Sequence, residues 1–163
     1  SSAASDVYKR QPKSMDLIRD GKQAASPFFG RLNMFFYDPK LKAKLPYYDR
    51  FPLVLPLENY SDGFLGLNFH YLPIPLRMRL LDRVVDFSNN TKFDESTRLN
   101  VSYQNLKSIR LIRPTIKRYL AGKVKSRFRR IDADEFIVAT LLPVARFSKA
   151  SAAEVHRDSR KML

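Results

Sequence analysis

The 163-residue chain has no cysteine. That excludes disulfides, thiol nucleophiles and Cys-based zinc sites, and leaves the chain indifferent to redox state. Histidine is almost as scarce, with only His70 and His156. No apolar run approaches the roughly 18 residues that a membrane-spanning helix needs. Walker loops, Gly-rich phosphate cradles, internal repeats and low-complexity tracts are also missing. The most telling absence is local. From Lys107 to Arg130, 24 residues contain no Asp or Glu, yet ten are basic: Lys107, Arg110, Arg113, Lys117, Arg118, Lys123, Lys125, Arg127, Arg129 and Arg130.

A disordered basic tail would lack apolar residues. This tract carries Ile109, Leu111, Ile112, Ile116, Tyr119, Leu120, Val124 and Phe128, so we expect a folded element presenting a concentrated positive field. Ordinary surface helices interleave charge signs to gain i,i+4 pairs. A field of one sign repels itself and calls for an external polyanion, with nucleic acid the first candidate. Contact of about six to ten such groups with phosphates would cost ~10³–10⁵ in affinity between low and physiological salt. No helix-turn-helix or RNA-binding signature appears, which favours backbone or end recognition over base reading.

Ser1 to Gln11 read as the in-frame translation of a sequencing-library adapter, so we treat residues 1–11 as a non-native scar and expect the natural N-terminus to lie beyond this chain. The scar takes Lys9, Arg10 and Asp6 with it, which lowers the formal net charge from +14 to +13. Residues 12–30 read as the remnant of an N-terminal arm, and 31–163 as a single α+β domain, long enough to bury a core. The hydrophobic content of 44% supports that core.

Between Arg31 and Tyr71 apolar and aromatic residues alternate with period two, broken by prolines. Strands are expected near Leu32–Phe36, Lys44–Tyr48, Phe51–Leu57 and Phe64–Tyr71, with Gly66 marking a bulge or close backbone approach. Short, curved strands of this kind predict a small, twisted, barrel-like antiparallel sheet. Pro73 and Pro75 open a helix in which Leu76, Leu80, Leu81 and Val84 share one face while Arg77, Asp82, Arg83 and Asp86 look outward. A second helix is expected at Leu99–Ile109. A third, opened by Pro114, would run to Ala121, with Gly122 as its cap and Lys117 and Arg118 opposite Ile116 and Leu120. Lys125–Ile131 and Phe136–Leu142 read as strands. Ser151 and Glu154 form a capping box that starts a C-terminal helix. The fold class is therefore α+β, with inserted helices and a C-terminal one.

Candidate chemistry is sparse. His70 sits among aromatics and reads as structural; His156 reads as exposed on a basic helix. Asp132, Asp134 and Glu135 have the residue types to hold Mg²⁺ for a nuclease, but no second carboxylate group lies near them in sequence, and a turn whose carboxylates balance the preceding arginines is the better reading. Tyr47 and Tyr48, in the densest aromatic patch, are either base-stacking residues or part of the polar rim of the sheet. No catalytic residue, metal or cofactor is expected. The DNA-binding set is Arg113, Lys117, Arg118, Lys123, Lys125, Arg127, Arg129 and Arg130, with Tyr47 and Tyr48 as stacking candidates.

Three long stretches, Met34–Lys40, Leu45–Leu53 and Gly63–Pro73, together with Arg113–Leu120, Leu142–Pro143 and Asp158–Lys161, resemble the DNA end protectors of T4-like tailed phages. The likeness covers most of 30–161. It implies a non-catalytic minor virion protein at the ends of the packaged double-stranded genome, entering the host cytoplasm with the DNA and blocking host exonuclease. Its recurring basic positions fall on Arg113, Lys117, Arg118 and Arg127, and it supplies no catalytic residues. Other virion proteins of the head or neck are further candidate partners; a membrane is not. The competing reading is a structural head–neck or baseplate protein whose basic face meets an acidic protein surface.

Overall fold

The computed structural model describes residues 22–88, 104, 106–132 and 135–163. Six strands form one antiparallel sheet: β1 (Gln23–Ala24), β2 (Leu32–Met34), β4 (Leu53–Tyr60), β5 (Gly63–Asn68), β6 (Ile116–Leu120) and β7 (Phe128–Ile131), in the order β1-β7-β2-β4-β5-β6. A two-stranded ribbon pairs β3 (Tyr48–Asp49) with β8 (Phe147–Ser148). Helix α1 (Ile74–Ser88) is inserted between β5 and β6, α2 (Phe136–Leu141) between β7 and β8, and α3 (Ala152–Lys161) ends the chain. The class is α+β, as the alternating pattern predicted.

The sheet is not closed into a barrel. Among the described residues β6 ladders only with β5, and β7 only with β1 and β2. The sheet nevertheless curls steeply. Phe128 of β7 reaches Phe64 of β5, with ring centroids 5.6 Å apart, although β2 and β4 lie between those strands. Sequence alternation foresees the curl, but closure depends on a ladder between two particular strands, and the chain bridges that gap without one.

Both faces of the sheet are covered, which explains the near-continuous apolar run Leu53-Val54-Leu55 in β4. Leu53, Leu55 and Leu67 point into a core shared with Leu80, Leu81 and Val84 of α1. Val54 points the other way, into a second cluster with Phe35, Phe64, Tyr119 and Phe128. The β4–β5 register shifts between Pro56 and Glu58, where a bulge absorbs the proline. A side chain at Gly66 would drive its Cβ into Val54 Cγ1, so the close approach expected there is real.

Three local expectations are corrected. Ile116–Leu120 is an edge strand of the sheet, not a helix. Phe136–Leu141 is a helix, not a strand. Arg77 lies inside the protein, 3% exposed, because its guanidinium donates to the carbonyls of Leu72 (2.7 Å), Thr140 (3.1 Å) and His70 (3.3 Å). Asp82 and Arg83 do face solvent. Ser151 does cap the C-terminal helix, its hydroxyl accepting from the Glu154 backbone N–H and lying 3.2 Å from the Glu154 carboxylate. The helix expected at Leu99–Ile109 lies largely outside the described residues.

Candidate nucleic-acid interface

The link between β6 and β7, residues 121–127, is a basic rim pinned at both ends by aromatic side chains. Tyr119 and Phe128 flank it and converge on Phe35, at centroid distances of 5.4 and 4.8 Å. Each such ring pair adds about 0.5–1.5 kcal/mol beyond the area it buries. The backbone is pinned as well. Ala121 N–H donates to Asp62 O (2.9 Å), Asp38 N–H to Lys123 O (2.9 Å) and Lys125 N–H to Phe36 O (2.8 Å). The Tyr37 hydroxyl accepts from Leu120 N–H. Val124 turns inward onto the aromatic cluster, while Lys125 and Arg127 are exposed and Lys123 is half-buried.

Among the described residues, no carboxylate lies within ion-pair distance of Arg113, Lys123, Lys125 or Arg127. The acid that feels the charges of Lys123 and Lys125 is Asp38. It is partly exposed, and its carboxyl is held below the usual range first by a hydrogen bond from Lys42 and then by the charges of Lys42, Lys125 and Lys123. One acid among three cations leaves the rim positive.

The remaining predicted residues divide. Arg113 is exposed on the turn before β6. Arg118 is exposed but engaged: it pairs with Asp62 at 2.5 Å and lies over the Tyr60 ring at 4.3 Å. Arg130 is half-buried and pairs with Asp132 at 2.7 Å. The tract therefore recruits two acids from outside its own span, one on each flank of the rim. Arg129 is 3% exposed beneath β1, where Gln23 pairs with it in the ladder and, with its side-chain amide turned so that the oxygen faces the guanidinium, accepts from it. Lys117 points away from Arg118, with its Nζ 4.0 Å above the Tyr71 ring. Tyr47 and Tyr48 are half-buried and line a cleft beside it, so Lys117 and the two tyrosines come together although some 70 residues separate them.

This rim is the setting for the comparison with known proteins: residues 5–158 match the family described as phage T4 terminal DNA protecting protein. The chain belongs to that family. Comparison with curated proteins and with solved structures finds no match. A terminal DNA protecting family agrees with a DNA-binding, phage-borne role, and its name describes protection rather than catalysis.

In this member of the terminal DNA protecting family, one residue of the acidic cluster, Asp132, is tied to the strand before it. The Asp132 carboxylate accepts from Arg130 Nε, and Asp134 lies outside the described residues. No described helix is long and apolar enough to cross a membrane.

Sequence reasoning missed a buried network behind the cleft. Asp49, 4% exposed, takes hydrogen bonds from the backbone N–H of Phe51 and of Arg146 on Oδ1, and from Asn68 on Oδ2, which also faces His70 Nδ1 at 2.7 Å. Burial alone would raise this carboxyl; the His70 charge and the hydrogen bonds outweigh it and hold it low. His156 is half-buried, not exposed, with Nε2 2.9 Å from the His70 carbonyl. An Asp four residues before an apolar strand carries no sequence signal for this role, because its partners come from Asn68, His70 and Arg146.

Proposed function

We propose that the chain binds the ends of double-stranded DNA without catalysis and shields them from exonuclease. The observation that carries this is the 121–127 rim, where Lys123, Lys125 and Arg127 have no carboxylate partner among the described residues, on a backbone pinned by Tyr119 and Phe128. Cations carried on a pinned backbone lose little backbone freedom when they meet phosphates. Contacts from a loop rim to phosphates carry no sequence information, which suits protection of any terminus. Membership of a terminal DNA protecting family supports the same reading. Arg113 and Arg118 extend the rim, and Arg130 and the buried Arg129 brace the strand that follows it. The protein would travel in the virion and enter the host cytoplasm with the genome.

The test is a gel-shift competition. A labelled linear duplex bound to the chain is challenged with unlabelled linear DNA, or with a covalently closed circle of the same sequence. End binding predicts displacement by the linear competitor alone. Equal displacement by the circle would defeat end recognition. Absence of any complex would leave an acidic head or neck protein as the partner of this face.

A further inference from the structure

Beside the rim lies a cleft of about 290 Å³, lined by Tyr47, Tyr71, Leu41, Leu45, Lys40 and Lys117, among others. That is close to the ~300 Å³ lower end of small-ligand sites, with room for one nucleotide but not for a base pair. Its chemistry is divided. One wall is aromatic and apolar: the rings of Tyr47 and Tyr71 stand 6.2 Å apart, and Leu41, an apolar side chain left 55% exposed, forms the lip. The other wall is cationic. Lys117 Nζ sits over the Tyr71 ring with no hydrogen-bonding or ion-pairing partner among the described residues. Burial lowers its ammonium pKa, and no carboxylate acts to restore it. A desolvated cation held over a ring face, with no counter-ion among the described residues, is poised for an anion.

The cleft is also a fixed shape. Lys149, in a left-handed conformation at φ 73°, sends its ammonium under the 41–45 turn, donating to the carbonyls of Lys42 and Leu45. Tyr47 is oriented by its hydroxyl, which lies beside Asp158. The one carboxylate in the lining, Asp49, has both oxygens committed to the buried network. Phosphate therefore meets Lys117 and Lys40 without competition from within.

We propose that this cleft seats a single unpaired nucleotide splayed from a DNA terminus, its base against Tyr47 and its phosphate on Lys117. The proposal rests on the end-binding reading and supplies its selectivity. An internal nucleotide must lose its pair and two stacking neighbours to enter, whereas a terminal one loses less. The rim holds any duplex; the cleft tells an end from the middle.

The experiment measures affinity for three forms of one duplex: with one-nucleotide overhangs, with blunt ends, and with both ends closed by hairpin loops. The full chain should prefer overhang to closed ends by roughly tenfold, which lies within the worth of one base–aromatic stack. Tyr47→Ala and Lys117→Gln should bring the overhang duplex down to the closed-end affinity, and Leu41→Asp, which puts a negative charge at the lip, should do the same. Photo-crosslinking from a terminal 5-iodouracil on the unaltered chain should map to Tyr47 or Tyr48. If open ends are preferred but the variants keep the preference, or the crosslink maps elsewhere, end binding stands and the cleft proposal is overturned. If the unaltered chain ignores end structure, both readings are overturned together.

Discussion

Replacing Lys123, Lys125 and Arg127 together with Gln removes three exposed or half-exposed cations that have no ion pair among the described residues. Because Val124 and Phe128 still pack inward, the fold should survive with its unfolding midpoint within about 2 °C of the parent, as surface substitutions usually do. If all three meet phosphates, the slope of log K against log [salt] should become shallower by about 2.7, at roughly 0.9 per contact. Near 0.15 M salt that amounts to a loss of about 10²-fold, or close to 3 kcal/mol. The assay is fluorescence anisotropy on a linear duplex between about 50 and about 300 mM KCl. Arg129→Met is the internal contrast. Its side chain is buried against Gln23, so it should lower the unfolding temperature and leave the slope unchanged. An unchanged slope in the triple variant, or an equal change in Arg129→Met, would refute the assignment of the rim.

Three further outcomes follow from the fold. Arg77→Ala strands the carbonyls of Leu72, Thr140 and His70 inside the protein; it should cost about 3 kcal/mol and lower the melting temperature by about 6–12 °C in calorimetry. Gly63→Ala would place a Cβ inside contact distance of the Tyr119 carbonyl across the β5–β6 ladder, and chemical denaturation should show a loss of about 1–3 kcal/mol. The His156 ring has its pKa lowered below the ordinary 6.5, first by burial. The unfolded state thus takes up a proton that the folded state resists, so stability should begin to fall as pH drops below about 6.5 and remain flat just above it. His156→Gln should remove that shoulder from a urea-midpoint series, leaving the steeper loss at lower pH as Asp49, whose carboxyl is held low, is protonated.

Elements whose signal is local were legible in the sequence. The β4–β5 hairpin, the helix opening after Pro73 and the Ser151–Glu154 cap all depend on residues close in the chain. Ile116–Leu120 was misread because five residues with apolar side chains at i and i+4 satisfy a helical stripe and an alternating edge strand alike, and only pairing with Gly63–Leu67 decides between them. The six residues of Phe136–Leu141 are as ambiguous. Arg77 and Arg129 were taken as solvent-facing cations because nothing nearby shows three inward carbonyls, or a strand from Gln23–Ala24 laid over β7. For the site, the acid-free span located the rim, but its division was not visible. Lys123, Lys125 and Arg127 reach solvent, Arg118 and Arg130 are paired, and Lys117 turns into the cleft with Tyr47. Tyr47 and Lys117 meet only because the 41–45 turn folds back beside β6.

Exonuclease protection tests the central claim most directly. A linear duplex saturated with the chain is exposed to a processive exonuclease, beside a nicked circle treated identically and the Lys123, Lys125 and Arg127 triple variant. The account predicts that the chain greatly prolongs survival of the linear duplex, that the triple variant loses most of this effect at physiological salt, and that digestion from the nick is little changed. Digestion of the linear duplex at the same rate with and without the chain, under conditions where binding is complete, would contradict it.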